Sequence, residues 1–303
     1  MAPSLLLRLR RAGYGCAMRL ALLVAVTMAA FAANSLLNRA AVEGGLIDPL
    51  GYALIRVGSG AAMLWLLLAL RGRGLALRPV PVIGALSLTA YMLGFSLAYL
   101  TLGAGLGALI LFGVIQVTMF AVAALRGAAL GPQRLAGAAL AFAGLASLLW
   151  PGGGLAVDPA GAALMIVAGI GWAFYTLDGR GAADPLAATA ANFAWCLPLV
   201  ALATLAALPG WPAPGGVALA VIGGALTSGL GYALWYAVLP RIETTTAAVV
   251  QLSVPVIAVA AGALLLGEAL SWKLVVAGAV VVGGIALAVT APAAPAGRSR
   301  TRG

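Results

Sequence analysis

A chain of 303 residues that is 64% hydrophobic and 8% charged is far too apolar for a soluble globular protein, in which about 25% of residues are charged, and belongs in a lipid bilayer. Its net charge of +10 lies between apolar runs and in the tails, without the basic stripe or interleaved motif of a nucleic-acid partner. There is no histidine, and Cys16 and Cys196 stand far apart, so His-dependent triads, the usual metal sites and a disulfide framework lack their residues.

The basic head, residues 1–17, reads as a cytoplasmic segment ahead of the first apolar run. Met28 to Ala33 imitates a signal-cleavage site, but a cut there would destroy the first copy of the repeat described below, so the run reads as a retained span. Runs of about twenty residues, enough to cross about 30 Å of hydrocarbon, fall at 18–40, 50–71, 79–100, 103–125, 133–151, 160–178, 186–209, 215–239, 245–267 and 271–291. They are continuous rather than alternating, which argues against a membrane β-barrel and predicts an all-α membrane protein of ten transmembrane helices. Asp48-Pro49, Asp158-Pro159 and Asp184-Pro185 each place a capping carboxylate before a proline at the first helical position, where the missing N–H costs nothing. The tail 292–303, rich in Pro, Ala and Arg, reads as disordered and cytoplasmic.

Two stretches echo each other. Residues 30–50, AFAANSLLNRAAVEGGLIDPL, and 166–186, IVAGIGWAFYTLDGRGAADPL, align Phe31 with Trp172, Leu36 with Leu177 and Arg39 with Arg180. After a five-residue gap Asp48-Pro49-Leu50 meets Asp184-Pro185-Leu186. Val82-Ile83-Gly84 is answered by Val221-Ile222-Gly223, and Gly137-Ala138 by Gly278-Ala279. A repeat of about 140 residues in an apolar chain marks transporters built from two halves, here 18–151 and 158–291. Five helices per half make the second half enter from the opposite side, so the repeats are inverted. With the N-terminus inside, fourteen of the seventeen Lys and Arg fall on the inner side, Arg39 and Lys273 fall outside, and Arg56 lies within the second span. That bias predicts cytoplasmic N- and C-termini.

A polar group in hydrocarbon costs free energy unless partnered, so polar side chains inside spans are the first candidates for a site. Asn34 and Asn38 stand one turn apart on the first helix, Gln116 lies mid-way along the fourth, and Gln251 lies in the ninth. Tyr91, Trp172, Tyr175 and Trp235 add amphipathic rings on the third, sixth and eighth. These eight residues are expected to line one central cavity, because they occupy paired helices of both halves, while the fifth and tenth helices are nearly pure Ala, Val, Leu and Gly. Each amide could instead serve as a helix–helix hydrogen bond, and Tyr99 and Tyr236, near span ends, read as interfacial belt residues. Arg56, Asp178, Arg180 and Glu268 read as structural or gating charges. Arg56 lies about 10 Å from the outer end at 1.5 Å per residue, close enough to snorkel, and Asp178 either pairs with Arg180 in a loop or serves an inner gate. Gly103, Gly105, Gly107, Gly229, Gly231, Gly283 and Gly284 read as close-packing sites. No catalytic constellation, metal-ligand set or phosphate-binding glycine loop is found, and no cofactor is implied.

The ten-helix plan, Asp48-Pro49 followed by Arg56 in the second helix, and Thr244-Thr245-Thr246-Ala247-Ala248, then Pro255, then Leu266-Gly267-Glu268 in the ninth resemble the EamA type of the drug/metabolite transporter superfamily over nearly all of residues 18–291. The first half departs from that pattern, with Gln116 about where the family has its proline and Gly127-Ala128 in place of Gly-Glu. The resemblance implies a bacterial inner-membrane secondary transporter, commonly an exporter of amino acids or other small metabolites, with a central cavity formed by the first, third, fourth, sixth, eighth and ninth helices. A monomer or homodimer in the bilayer is expected.

Aromatic walls with amide donors and acceptors suit a small amphipathic solute, such as an amino acid or drug-like amine. A carrier or flippase for a sugar- or lipid-linked substrate is the nearer alternative; a membrane-embedded enzyme and a structural membrane protein are the further ones. All seven carboxylates, Glu43, Asp48, Asp158, Asp178, Asp184, Glu243 and Glu268, fall in turns or at span ends. No mid-membrane proton carrier is therefore expected, which favours facilitated efflux or a solute that carries its own proton.

Overall fold

The computed structural model describes residues 3–77, 82–127, 131–150, 157–180, 182–207, 210–242 and 244–291. The tail 292–303 lies outside them with its expected disorder, as do Arg78 and Glu243. Every described element is helical: α1 (Pro3–Glu43), α2 (Pro49–Leu70), α3 (Val82–Ala98), α4 (Ala104–Leu125), α5 (Pro132–Leu149), α6 (Pro159–Gly179), α7 (Pro185–Ala207), α8 (Pro214–Arg241), α9 (Thr244–Gln251 and Ser253–Leu266) and α10 (Trp272–Val289). Eight of these rods hold stretches long and apolar enough to cross a membrane, and α3 is a shorter apolar helix. A helical bundle is what hydrocarbon demands, since each helix satisfies its own backbone. The first helix starts at Pro3, so the basic head continues it; arginine interrupts an apolar run but is a good helix former.

The three Asp-Pro starts cap as their chemistry requires. Asp48 Oδ1 accepts from the amides of Leu50 and Gly51, both at 2.9 Å, and Asp184 Oδ1 from Leu186 and Ala187 at 3.1 and 3.2 Å. Asp158 Oδ2 accepts from Gly161 at 2.6 Å. Each cap contributes about 1 kcal/mol.

Two helices are irregular. In α8 the stretch Ile222–Leu230 is π-helical, and the hydroxyls of the adjacent Thr227 and Ser228 both reach the carbonyl of Gly223, at 2.8 and 2.7 Å. Helix α9 breaks at Leu252, because Pro255 has no N–H to give and its ring crowds the carbonyl of Gln251. It ends at Gly267, whose φ of 70° supplies the left-handed cap that a Cβ would oppose.

Neighbour relations repeat between the halves. Helix α3 packs on α6 as α8 packs on α1, α4 on α6 as α9 on α1, and α2 on α8 as α7 on α3, while α2–α7, α4–α9 and α5–α10 each map onto themselves under the same exchange. In the α5–α10 pair, a Cβ on Gly137 or Gly284 would fall 2.4 Å from the backbone nitrogen of Ala288 or Ala141, so glycine sets that approach. Gly283, expected at such a contact, faces open space.

The α1–α2, α3–α4, α5–α6, α7–α8 and α9–α10 connections share one end of the bundle, called distal below. The proximal end carries the end of α10.

Candidate functional site

Six of the eight expected residues, Asn34, Tyr91, Trp172, Tyr175, Trp235 and Gln251, lie around one central cavity with Phe31, Ser35, Phe95, Leu111, Phe112, Ile115, Thr176, Tyr232 and Tyr236. Its volume of about 70 Å³ is small beside the roughly 300–1,000 Å³ of sites that enclose drug-sized ligands, so this conformation accommodates only a small solute. Trp172 is the hub of the wall, its ring 4.7 Å from Tyr91, 5.1 Å from Tyr232 and 5.3 Å from Tyr175. Phe31 extends the wall at 5.6 Å from Tyr232 and 6.1 Å from Trp235. Phe31 and Trp172, aligned by the repeat, thus face the same space from opposite halves.

A buried polar chain runs behind these rings. Asn34 Oδ1 accepts from Thr227 Oγ1 at 2.7 Å and Ser228 Oγ at 3.1 Å, and Arg56 Nε donates to Ser228 Oγ at 3.1 Å. Arg56 Nη2 donates to Tyr91 Oη at 3.1 Å. The π-helical stretch matters here, because its wider turn lets neighbouring residues 227 and 228 serve one partner; such segments gather at functional sites. The Thr-Ser pair inside the glycine-rich run IGGALTSGLG is the sequence signal for them.

Two of the eight residues stand off the cavity. Asn38 is fully buried and donates to Ser96 Oγ at 3.0 Å, tying α1 to α3. Gln116 is buried too, but it follows Ile115, and a step of roughly 100° per residue carries it off the lining face.

The four charges take different places. Arg56 does not snorkel: it is fully buried, with its guanidinium 4.9 Å from the ring of Phe95 and 5.4 Å from that of Tyr91. Tyr99, expected in the interfacial belt, is fully buried against Phe95 at 4.8 Å, and Tyr236 faces the cavity; both lie near helix ends but on inward faces. Asp178 and Arg180 are exposed and do not pair; among the described residues the ion pairs are Arg39–Glu43 and Arg73–Asp184. Glu268 reaches across the bundle, accepting from the amides of Ala104 and Gly105 at 2.5 and 3.2 Å. It thereby caps α4, whose own N-cap, Gly103, has no side chain to do so. Gly262 leaves room for it, since a Cβ there would lie 2.6 Å from Glu268 Oε2.

That contact is one of several that lace the distal end. Arg39 donates to the carbonyls of Tyr99 and Leu100 at 2.9 and 3.2 Å, and the amide of Ala213 to Leu46 at 2.8 Å. Thr101 donates to Asp158 at 2.9 Å, and Lys273 to the carbonyl of Trp150. The Gly161 amide and the Thr101 hydroxyl hold the Asp158 carboxyl below its usual range. Described proximal ties include Arg73–Asp184, Gln133 to the Leu287 carbonyl at 3.1 Å and Trp195 to the Leu77 carbonyl at 3.2 Å.

The family model described as the EamA-like transporter family matches residues 159–290. An uncharacterized protein of Pseudomonas aeruginosa is 48% identical over 270 residues, covering 89% of this chain and 94% of its own length. The chain belongs to the EamA-like transporter family. A crystal structure 24% identical in sequence shares the fold at a TM-score of 0.64, over 88% of this chain and 98% of its own. An EamA-like chain is a multi-pass membrane transporter, and that membership gives the central cavity its interest.

Proposed function

We propose that the chain is a secondary transporter that exports small amphipathic metabolites, amino acids among them, by alternating access through the aromatic cavity. It does so in a bacterial inner membrane with both termini cytoplasmic. The observation that carries this reading is the cavity itself, walled by α1, α3, α4, α6, α8 and α9 from both halves beneath a laced distal end. The matched neighbour relations support an inverted pair, 18–151 and 158–291, in which one half rocks against the other around a fixed site. No carboxylate or histidine stands among the described lining residues, which supports facilitated efflux or a solute that carries its own proton. Media from overexpressing and deletion cells, compared by untargeted metabolite profiling, should differ in a small amphipathic solute; indistinguishable media would overturn the reading.

A second reading draws on an apolar groove of about 580 Å³ between α1 and α9, lined by Leu20, Val24, Met28, Val250, Ser253 and Ile257 among others. Such a flank favours a lipid-linked substrate with lateral entry. It lacks a cation for a phosphate among its lining residues, and scrambling of a headgroup-labelled lipid in liposomes decides between the two.

A further inference from the structure

Arg56 sits about two turns inside α2 and is fully buried, at a depth where a permanent cation is costly unless paired. Among the described residues no carboxylate pairs with it: the ion pairs belong to Arg39 and Arg73, and its own bonds go to the neutral hydroxyls of Ser228 and Tyr91. A guanidinium has five donors in a planar fork, and Nη1 here is buried without a hydrogen-bond partner. The hydroxyl of Tyr232, on the cavity wall, makes no hydrogen bond of good geometry either, with the Tyr91 hydroxyl as its polar neighbour. Tyr91, also on that wall, accepts from Arg56 and so keeps its own proton to give. The amide oxygen of Asn34 faces the hydroxyls of Thr227 and Ser228, which share their single protons between it and the Gly223 carbonyl. Donors and positive charge thus gather behind one wall of the cavity, where Tyr91 and Tyr232 stand between Arg56 and the cavity, with too few acceptors.

We propose that Arg56 is the counter-charge for a carboxylate borne by the transported solute, read through the hydroxyls of Tyr91 and Tyr232. The inference rests on the transport reading and narrows its solute class: amino acids and small organic acids stay, while amines without a carboxylate are rejected. Guanidinium and carboxylate match in shape as well as charge, and the aromatic wall takes the apolar part of the solute.

Purified full-length protein is titrated with hydrocinnamate, phenylalanine, phenylalanine amide and phenethylamine, compounds of similar size that differ in charge, with Tm as readout and chloride as a further arm. Both acids should bind at least about tenfold more tightly than the amide and amine, the worth of one charge-assisted hydrogen bond. Chloride should give no comparable shift. Arg56→Gln should bring all four within about twofold by the same reasoning, and Arg56→Lys should retain part of the preference. If Arg56→Gln does not fold, Tyr91→Phe carries the same test, since it keeps the ring and removes the hydroxyl. Amide or amine binding as tightly as the acids overturns the inference and leaves transport standing. Chloride matching the acids overturns it in favour of a free halide. Silence from all four compounds overturns it together with the small-solute reading of the cavity.

Discussion

Helices α4 and α9 hold corresponding places in the two halves and are built to opposite ends. Helix α4 runs unbroken from Ala104 to Leu125, and its start is held by Glu268 from the other half. Helix α9 is broken by Pro255, and the matching connection after α4 has no carboxylate to offer. Gly127 and Gly267 are equivalent left-handed turns, with φ of 78° and 70°, but glutamate follows the second and alanine the first. The same contrast separates α3, a regular helix, from α8, which carries nine π-helical residues. A shared topology has therefore been divided by small sequence differences into a stiff wall and a pliant one. Motion is expected first in the pliant α8 and α9, where the helical hydrogen-bond ladder is irregular.

Removing the asymmetric latch is the sharpest way to break this comparison. Glu268→Gln keeps the size of the side chain and removes its charge, which costs the distal-closed state about 1.5–3 kcal/mol, the range for hydrogen bonds to a charged group. A lower Tm and faster labelling, from the distal side, of a cysteine introduced at Gln251 are expected with an impermeant thiol reagent; an unchanged labelling rate would show that Glu268 is not a latch. Pro255→Ala sharpens the comparison from the other side, because it lets Gln251 regain an intrahelical partner and makes α9 resemble α4. Tm should rise while solute flux in liposomes falls several-fold, a change of about 1 kcal/mol in the barrier; a flux equal to wild type would deny the break a role. The smallest effect is expected at Asp178, exposed at the proximal end of α6. Asp178→Asn should leave flux unaltered with or without an imposed pH gradient, whereas gradient-driven uphill accumulation abolished by that change would make it the coupling site.

The fold was legible because apolar run length, Asp-Pro caps and the arginine pattern are each local. The helix order and the three caps follow from them directly, and the cavity-bearing helices from the polar and aromatic side chains inside the spans. What stayed illegible depends on rotation and reach. Asn34 and Asn38 share a helix face, yet only the packing of α3 decides that Asn38 meets Ser96 instead of the cavity. Arg56 has the length to snorkel, and nothing local shows that Ser228, 172 residues away, takes its Nε. The π-helical stretch is invisible to a period of 3.6, and Glu268 finds Ala104 only once α4 and α9 are side by side.

The central claim is a cavity shared by both halves, shut at the distal end and reached from the proximal one. It is tested most directly in liposomes with one cysteine, Gln251→Cys, in protein whose Cys16 and Cys196 are replaced by serine. An impermeant maleimide should label that cysteine from the proximal side, not from the distal side, with distal labelling emerging when Glu268→Gln is added. Labelling from the distal side alone, or from neither side in both proteins, would contradict the account.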